Sequence, residues 1–264
     1  MHSDITLKKE DLVATITLNR PEKLNAITPD MMAELNAILD DVASDDKVRV
    51  VVLTGAGRGF CAGANIGTPG VLLHEKFTLD GWRRNSISRY GRASSQLYYM
   101  EKPTIAMING IALGTGFALA IACDIRTGSD NSRFQCGFTR VGVQPEAGAD
   151  WLLTHVLGLS RAAELIFLSD FVEAEEAFRI GLLNRLFPSD KLEEETMNLA
   201  RNIASMPPLA IRMGKIMLHR TLNMDLDTAI QMAHAGGAPL QATEDHHEAV
   251  DAFREKRKPV FKGK

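Results

Sequence analysis

Apolar and polar residues alternate along "DITLKK" and "LVATITLN", predicting two strands joined by a charged turn. The proline-interrupted "RPEKLNAITPD" breaks that period. In "PDMMAELNAILDDVASD" the apolar positions Met32, Leu35, Ile38, Leu39 and Val42 then recur at helical spacing. Thr28 suits the N-cap of this helix and Pro29 its first turn. "VRVVVLTG" is a continuous β-branched run, as expected of a strand covered on both faces. The next segment, "GAGRGFCAGANIGTPG", reads as a glycine-dense loop, with residues 67 to 80 mobile. A helix is expected over Asp80 to Met100, "TIAMING" is a second buried strand, and "GTGFALAIACD" is a helix opening on glycines.

The strand "IRTGS", a short extended piece after Arg133, several helices from Ala149 to Ile180 and the strand "LLNRLF" follow. From Pro188 the pattern is helical throughout. Strands alternating with helices and a helical tail define an α/β class. The core is expected over residues 1–200, with a C-terminal helical region over 201–264. One side of that tail is too apolar to stand alone, so it is expected to cover the core or a partner subunit.

Composition adds mainly exclusions. The 264 residues are 45% hydrophobic and 24% charged, with a net charge of -3 and a pI near 6.2. Nucleic-acid binding normally shows a basic surplus, so none is expected. No apolar run reaches membrane-spanning length, and "MHSDITLKKE" has no apolar stretch behind its charges. A cytoplasmic protein without membrane attachment is the expectation. Cys61, Cys123 and Cys136 are odd in number and fit neither a disulfide framework nor a metal site. They read as small buried hydrophobes in a reducing compartment.

Several motifs fail. Phe60 stands where GxGxxG needs its last glycine, and there is no P-loop, HExxH or GxSxG. His246 and His247 are adjacent and point in different directions, so no metal is expected. The basic run "REKRKPVFKGK" could contact phosphate, although a solvated helix end commonly looks the same. More informative are "CAGAN" and "LGTGFALA", two glycine turns that each follow a strand. Glycines there could simply permit tight turns. Main-chain N–H groups at such ends are unpaired, and two converging on one point would form an oxyanion hole worth roughly 3–4 kcal/mol per donor.

The ordered series "RPEKLNAIT", "GAGRGFCAGANI", "INGIALGTGFALAIACDI", "GVQPEAGADWLLTHVLG", "AEEAFRIGLLNRLFP" and "FREKRKPVF" resembles the enoyl-CoA hydratase/isomerase (crotonase) superfamily over residues 5 to 262. The resemblance implies a spiral of ββα units with a C-terminal trimerisation region, assembled as a homotrimer or dimer of trimers. It also implies an acyl-CoA thioester substrate, with coenzyme A entering as part of that substrate and no permanently bound cofactor. The oxyanion donors would be Ala64 and Thr115, the latter where the family more often has glycine. Lys23, Leu24, Ala26, Ala62 and Ile66 would flank the CoA, with Asn65 and Gly114 beside them. Phe261 and Lys262 would reach CoA in their own or a neighbouring subunit. Leu72, Leu73, Phe77, Trp82 and Tyr90 would line an apolar acyl tunnel.

One departure matters. Where hydratases of the family carry two glutamates that activate water, this chain has Ala118 and Phe138. Glu146 instead matches the lone acid of Δ3,Δ2-enoyl-CoA isomerases. The resemblance therefore implies a single-carboxylate proton shift, with hydration or a catalytically silent acyl-CoA-binding protein as rivals. Burial near Phe138 and Trp151 would raise the pKa of Glu146. Alternatively Glu146 only complements a helix dipole, worth roughly 0.3–1 kcal/mol. Asp150, four residues on, is expected to orient or assist.

Overall fold

The computed structural model describes residues 3–65 and 90–264. Strands β1 (Ile5–Glu10) and β2 (Val13–Leu18) form the expected hairpin. Helix α1 (Pro29–Ser44) begins as expected: Thr28 Oγ1 accepts from the N–H of Met31 at 3.2 Å, and Pro29 occupies the first turn. This cap is worth about 1 kcal/mol. Met32, Leu35, Leu39 and Val42 are buried along one face.

Strands β3 (Val50–Gly55), β5 (Thr104–Ile108), β7 (Ile125–Ser129) and β10 (Arg185–Phe187) extend the hairpin into a six-stranded sheet, ordered β1-β2-β3-β5-β7-β10 and parallel from β2 onward. All six residues of β3 are buried. The reason is visible in the alternation of faces. Val51 and Leu53, with Ala106 and Ile108 of β5, enter the main core, whereas Val50, Val52, Ile105 and Met107 pack with Ala200 and Ala204. Those alanines belong to α7 (Leu192–Ala204), which therefore covers the second face and runs across residue 200.

A second, four-stranded sheet, β4-β6-β8-β9, is built from β4 (Gly59–Cys61), β6 (Ile111–Leu113), β8 (Arg133–Gln135) and β9 (Val172–Glu173). None exceeds three residues. The pattern along 55–70 predicts only loop because three residues cannot display a period. Between the sheets lies α3 (Thr115–Ala122), every residue of which is buried. Helix α2 (Tyr90–Tyr99) accounts for the end of the helix expected over 80–100; the rest of that helix, and the mobile loop expected over 67–80, fall outside the described residues. Helices α4 (Ala149–Leu157) and α5 (Leu159–Leu168) lie between β8 and β9, and α6 (Ala174–Arg179) follows β9. The tail supplies α8 (Pro208–Thr221), α9 (Leu226–Gly237) and α10 (Glu244–Glu255). No described helix is long and apolar enough to cross a membrane.

An ionic cluster docks α8. Lys215 Nζ lies 2.7 Å from Asp124 Oδ2 and donates to the carbonyls of Leu97 and Lys102. Thr104 donates to the same carboxylate through N–H and Oγ1. Burial works to raise the pKa of Asp124, but a hydrogen bond from His219 and the Lys215 charge overcome it and hold it below the usual value.

Candidate active site

Ala64 forms a parallel bridge with Ile27, in which Ile27 N–H donates to Gly63 O and Asn65 N–H donates to Ile27 O, each at 2.8 Å. Parallel pairing uses the groups on either side of Ala64, so the N–H of Ala64 itself faces away from that partner. Thr115 opens α3, where the N–H has no intrahelical acceptor and the dipole is positive. A Cβ built on Gly63 would stand 3.7 Å from Thr115 N, so the two loops run side by side. Glycine is needed at two places here. Gly114 has φ 54° and ψ -117°, a conformation outside the reach of side-chain-bearing residues. Gly116 packs directly on the main chain of Cys61, where any Cβ would collide with Cys61 O.

The segment meant for the CoA nucleotide lies against the same turn. Leu24 and Asn25 are successive left-handed residues, φ 49° and 57°. The Asn25 side chain, fully buried, donates to Ala56 O and Gly59 O and accepts from Arg20 N–H. Ala62 N–H donates to Leu24 O at 2.9 Å. Asn109 adds a clamp from the neighbouring strand end, donating to Gly55 O and Gly57 O. Lys23, Leu24, Ala26, Ala62, Ala64, Asn65, Gly114 and Thr115 are thereby gathered at the C-terminal edge of the parallel strands, where open α/β sheets bind ligands. Asn25 and Asn109 escaped the sequence reading as supports. The available signal for Asn25 was that asparagine tolerates left-handed backbone in a loop.

Phe261 and Lys262 lie elsewhere. Arg49 donates to Phe261 O at 2.8 Å, and Asp245 accepts from the N–H of Lys262 at 2.6 Å. Arg49 precedes β3, whereas the oxyanion turns follow it, about 17 Å along the strand. Within one chain these two residues therefore lie at the far end of β3 from the oxyanion turns and are not brought together with them. Ile66, Leu72, Leu73, Phe77 and Trp82 lie outside the described residues. Tyr90 is half-buried against the main core.

Glu146 sits between Pro145 and the start of α4. The residue is exposed, yet desolvation by its surroundings raises its carboxyl above the usual value, the direction expected from the sequence. Among the described residues no ion pair or side-chain hydrogen bond engages that carboxyl. Asp150 lies in the first turn of α4 and is also exposed. Burial pushes the Cys136 thiol up to about 11, and the charge of Asp150 adds to it. Ala118 is fully buried and Phe138 nearly so, leaving no proton carrier at either position. The thiols of Cys61 and Cys123 are buried and pushed up to about 12, consistent with hydrophobic filling.

Beside Glu146, a cavity of about 240 Å³ opens between α2 and α4, lined by Ser94, Tyr98, Ala147 and Trp151 among others. Trp151 is only half-enclosed. Its ring stacks on His155 at 3.7 Å and meets Tyr98 edge-on at 5.3 Å, while His219 of α8 packs on Tyr98 at 4.0 Å. Sequence spacing had no way to place His219 there, 121 positions from its partner by subtraction of their numbers.

The sequence profile of the enoyl-CoA hydratase/isomerase family matches residues 8–264. A short-chain-enoyl-CoA hydratase of Clostridium acetobutylicum is 35% identical over 257 residues, covering 97% of this chain and 96% of that protein. A 1,2-epoxyphenylacetyl-CoA isomerase of Escherichia coli is 34% identical over 224 residues, 84% of each. The crystal structure of an enoyl-CoA hydratase from Bacillus anthracis superposes with a TM-score of 0.92 at 32% identity, covering 99% of this chain and 100% of that one. Coverage end to end, together with the shared fold, makes this chain a member of the enoyl-CoA hydratase/isomerase family, enzymes that act on acyl-CoA substrates.

Proposed function

We propose that this enzyme shifts a carbon–carbon double bond in an enoyl-CoA, with Glu146 as its single proton carrier. The observation that carries this reading is a desolvated carboxyl without a cationic partner among the described residues, just before the helix α4 that packs on α3, while Ala118 and Phe138 occupy the other acid positions.

The steps balance on these groups alone. The Glu146 carboxylate takes a proton from C2 of a 3-enoyl thioester, and the C–H electrons form a dienolate. Negative charge then collects on the thioester oxygen, which the N–H groups of Ala64 and Thr115 stabilise more strongly than they do the neutral carbonyl. The protonated carboxyl returns its proton at C4, giving the 2-enoyl thioester. A raised pKa suits both halves, because the carboxyl must accept and release the proton near neutral pH. Lys23, Leu24, Ala26, Ala62 and Asn65 hold the CoA portion in this reading, with Phe261 and Lys262 offered to a neighbouring subunit's site. Phe253, 85% exposed on α10, and the exposed Leu226 and Ile230 of α9 support a homotrimer or dimer of trimers.

Incubation with 3-enoyl-CoA in deuterated water tests the proposal: 2-enoyl-CoA is expected, carrying deuterium at C4 to the extent that the proton held by Glu146 exchanges with solvent before its return. Glu146→Gln should slow this about 10³-fold while CoA-ester binding persists. A wild-type rate in that variant would overturn the assignment. Hydration is the second reading, favoured by the hydratase names of several relatives, including the Clostridium protein. In that case Glu146, with Asp150 four residues on, activates water, and 2-enoyl-CoA yields 3-hydroxyacyl-CoA without isomerised product. Absence of α-proton exchange with every acyl-CoA would leave a binding protein.

A further inference from the structure

We infer that Ala147 is a positioning residue: its left-handed backbone, rather than any side-chain contact, aims the Glu146 carboxyl. The inference rests on the reading of Glu146 as the proton carrier.

Three observations lead to it. First, Glu146 has no side-chain hydrogen bond or ion pair among the described residues, so its direction comes from elsewhere. Second, the backbone around it is restricted on both sides. Pro145 precedes it with φ fixed by its ring. Ala147 follows with φ 56° and Gly148 with φ 77°, and the N–H of Ala149 donates to Glu146 O at 3.1 Å. Ala149 is completely buried at the start of α4, which anchors the far end. Third, the residue in the left-handed position is alanine, although this chain places glycine at the other left-handed positions of the segment, 142 and 148. Alanine tolerates that conformation poorly, and only within a small region, whereas glycine would sample the whole positive-φ range. Strain of this kind persists where surrounding structure over-determines it, often at functional sites. Here the methyl group is half-buried against the main core and lines the cavity between α2 and α4. A Cβ at 147 thus confines the turn, and the turn confines the carboxyl one residue earlier.

The mechanism separates stability from rate. Ala147→Gly removes the unfavourable backbone energy while making the unfolded chain more flexible, so its melting temperature should stay within a few degrees of the parent. Its Glu146 carboxyl gains freedom and meets more water. We expect kcat to fall at least tenfold with KM for the acyl-CoA changed less than twofold. The acid limb of the pH–rate profile should also move down toward the ordinary carboxylate value, a change that a purely structural residue would not produce. Ala147→Asn restores a side chain that accepts left-handed backbone, and the adjoining cavity gives its amide room. It should recover most of the lost kcat and the original pH limb.

Wild-type kcat and an unmoved pH limb in Ala147→Gly, measured while Glu146→Gln remains inactive, would overturn the positioning inference and leave Glu146 as the base. A loss in Ala147→Gly that Asn does not repair would overturn it as well. An active Glu146→Gln would instead remove the reading beneath it.

Discussion

Helix α3 and the segment from Gly142 to Asp150 flank the same site and could hardly be built more differently. Every residue of α3 is buried, and its side chains from Thr115 to Ala122 are small or apolar. It offers only main chain. The 142–150 segment is mostly exposed, carries two carboxylates, and turns through left-handed backbone at 142, 147 and 148. The contrast follows from the cost of charge. A dipole fixed by peptide geometry can be buried fully, because its donors need no counter-ion and lose little by leaving water. A carboxylate that must gain and lose a proton needs partial access to solvent, or its pKa would rise beyond use. In the proposed reading, charge stabilisation falls to the core and proton transfer to its rim.

Substitutions that exchange the two characters break this comparison most strongly. Glu146→Gln removes the proton carrier proposed for the rim and leaves the core untouched, hence the roughly 10³-fold loss expected in isomerisation and exchange assays. Thr115→Pro is the complementary change. Proline fits the first position of a helix, so α3 should fold, but the main-chain donor disappears. Turnover should fall about 10²- to 10³-fold, with the circular dichroism spectrum and melting temperature close to the parent's. Wild-type turnover in a folded Thr115→Pro protein would show that this N–H is not a donor to the reacting oxygen.

Lys215→Met probes how the tail holds the site together. It leaves Asp124 largely buried without its main cation, and removing one partner of such a pair costs about 3 kcal/mol. Denaturant titration should report that loss. Turnover per folded molecule should fall less, since the effect reaches Trp151 only through His219 and Tyr98.

The smallest effect concerns stability and pH. Glu146 holds its proton more tightly when folded than when unfolded. It therefore contributes stability below its unfolded pKa, and that contribution is lost as pH rises through the higher folded pKa. Glutamine has no such dependence. The melting temperature of Glu146→Gln relative to the parent should rise between about pH 4 and about pH 7. A flat difference would show that desolvation does not act on this carboxyl.

Much of this molecule was legible along the chain. The hairpin, the capped α1, the buried β3, α3 and the tail helices each announce themselves through a period, a cap or a run long enough to measure. The glycine turns and Glu146 stood out because each turn follows a strand and the carboxylate lies among small residues. Strands β4 and β6 were not, since three residues show no period and their pairing is with segments fifty positions away. Nor was the support of the site by Asn25 and Asn109, whose partners are carbonyls, a group every residue carries.

Local order, then, was determined by sequence: which segments are helical, which are buried on both faces, and which loops lack the bulk to shield a carboxylate. Relative position was decided only in three dimensions. Phe261 ends a family-like motif and Lys262 follows it, yet they lie at the opposite end of β3 from Ala64 and Thr115. His219 meets Tyr98 because a buried ion pair docks α8. The pKa of Glu146 is raised by desolvation from its surroundings, and the backbone after it turns left-handed at Ala147. Hydrophobic period and turn chemistry act over a few residues, whereas desolvation and the convergence of donors depend on distance through space, which the order of residues does not record.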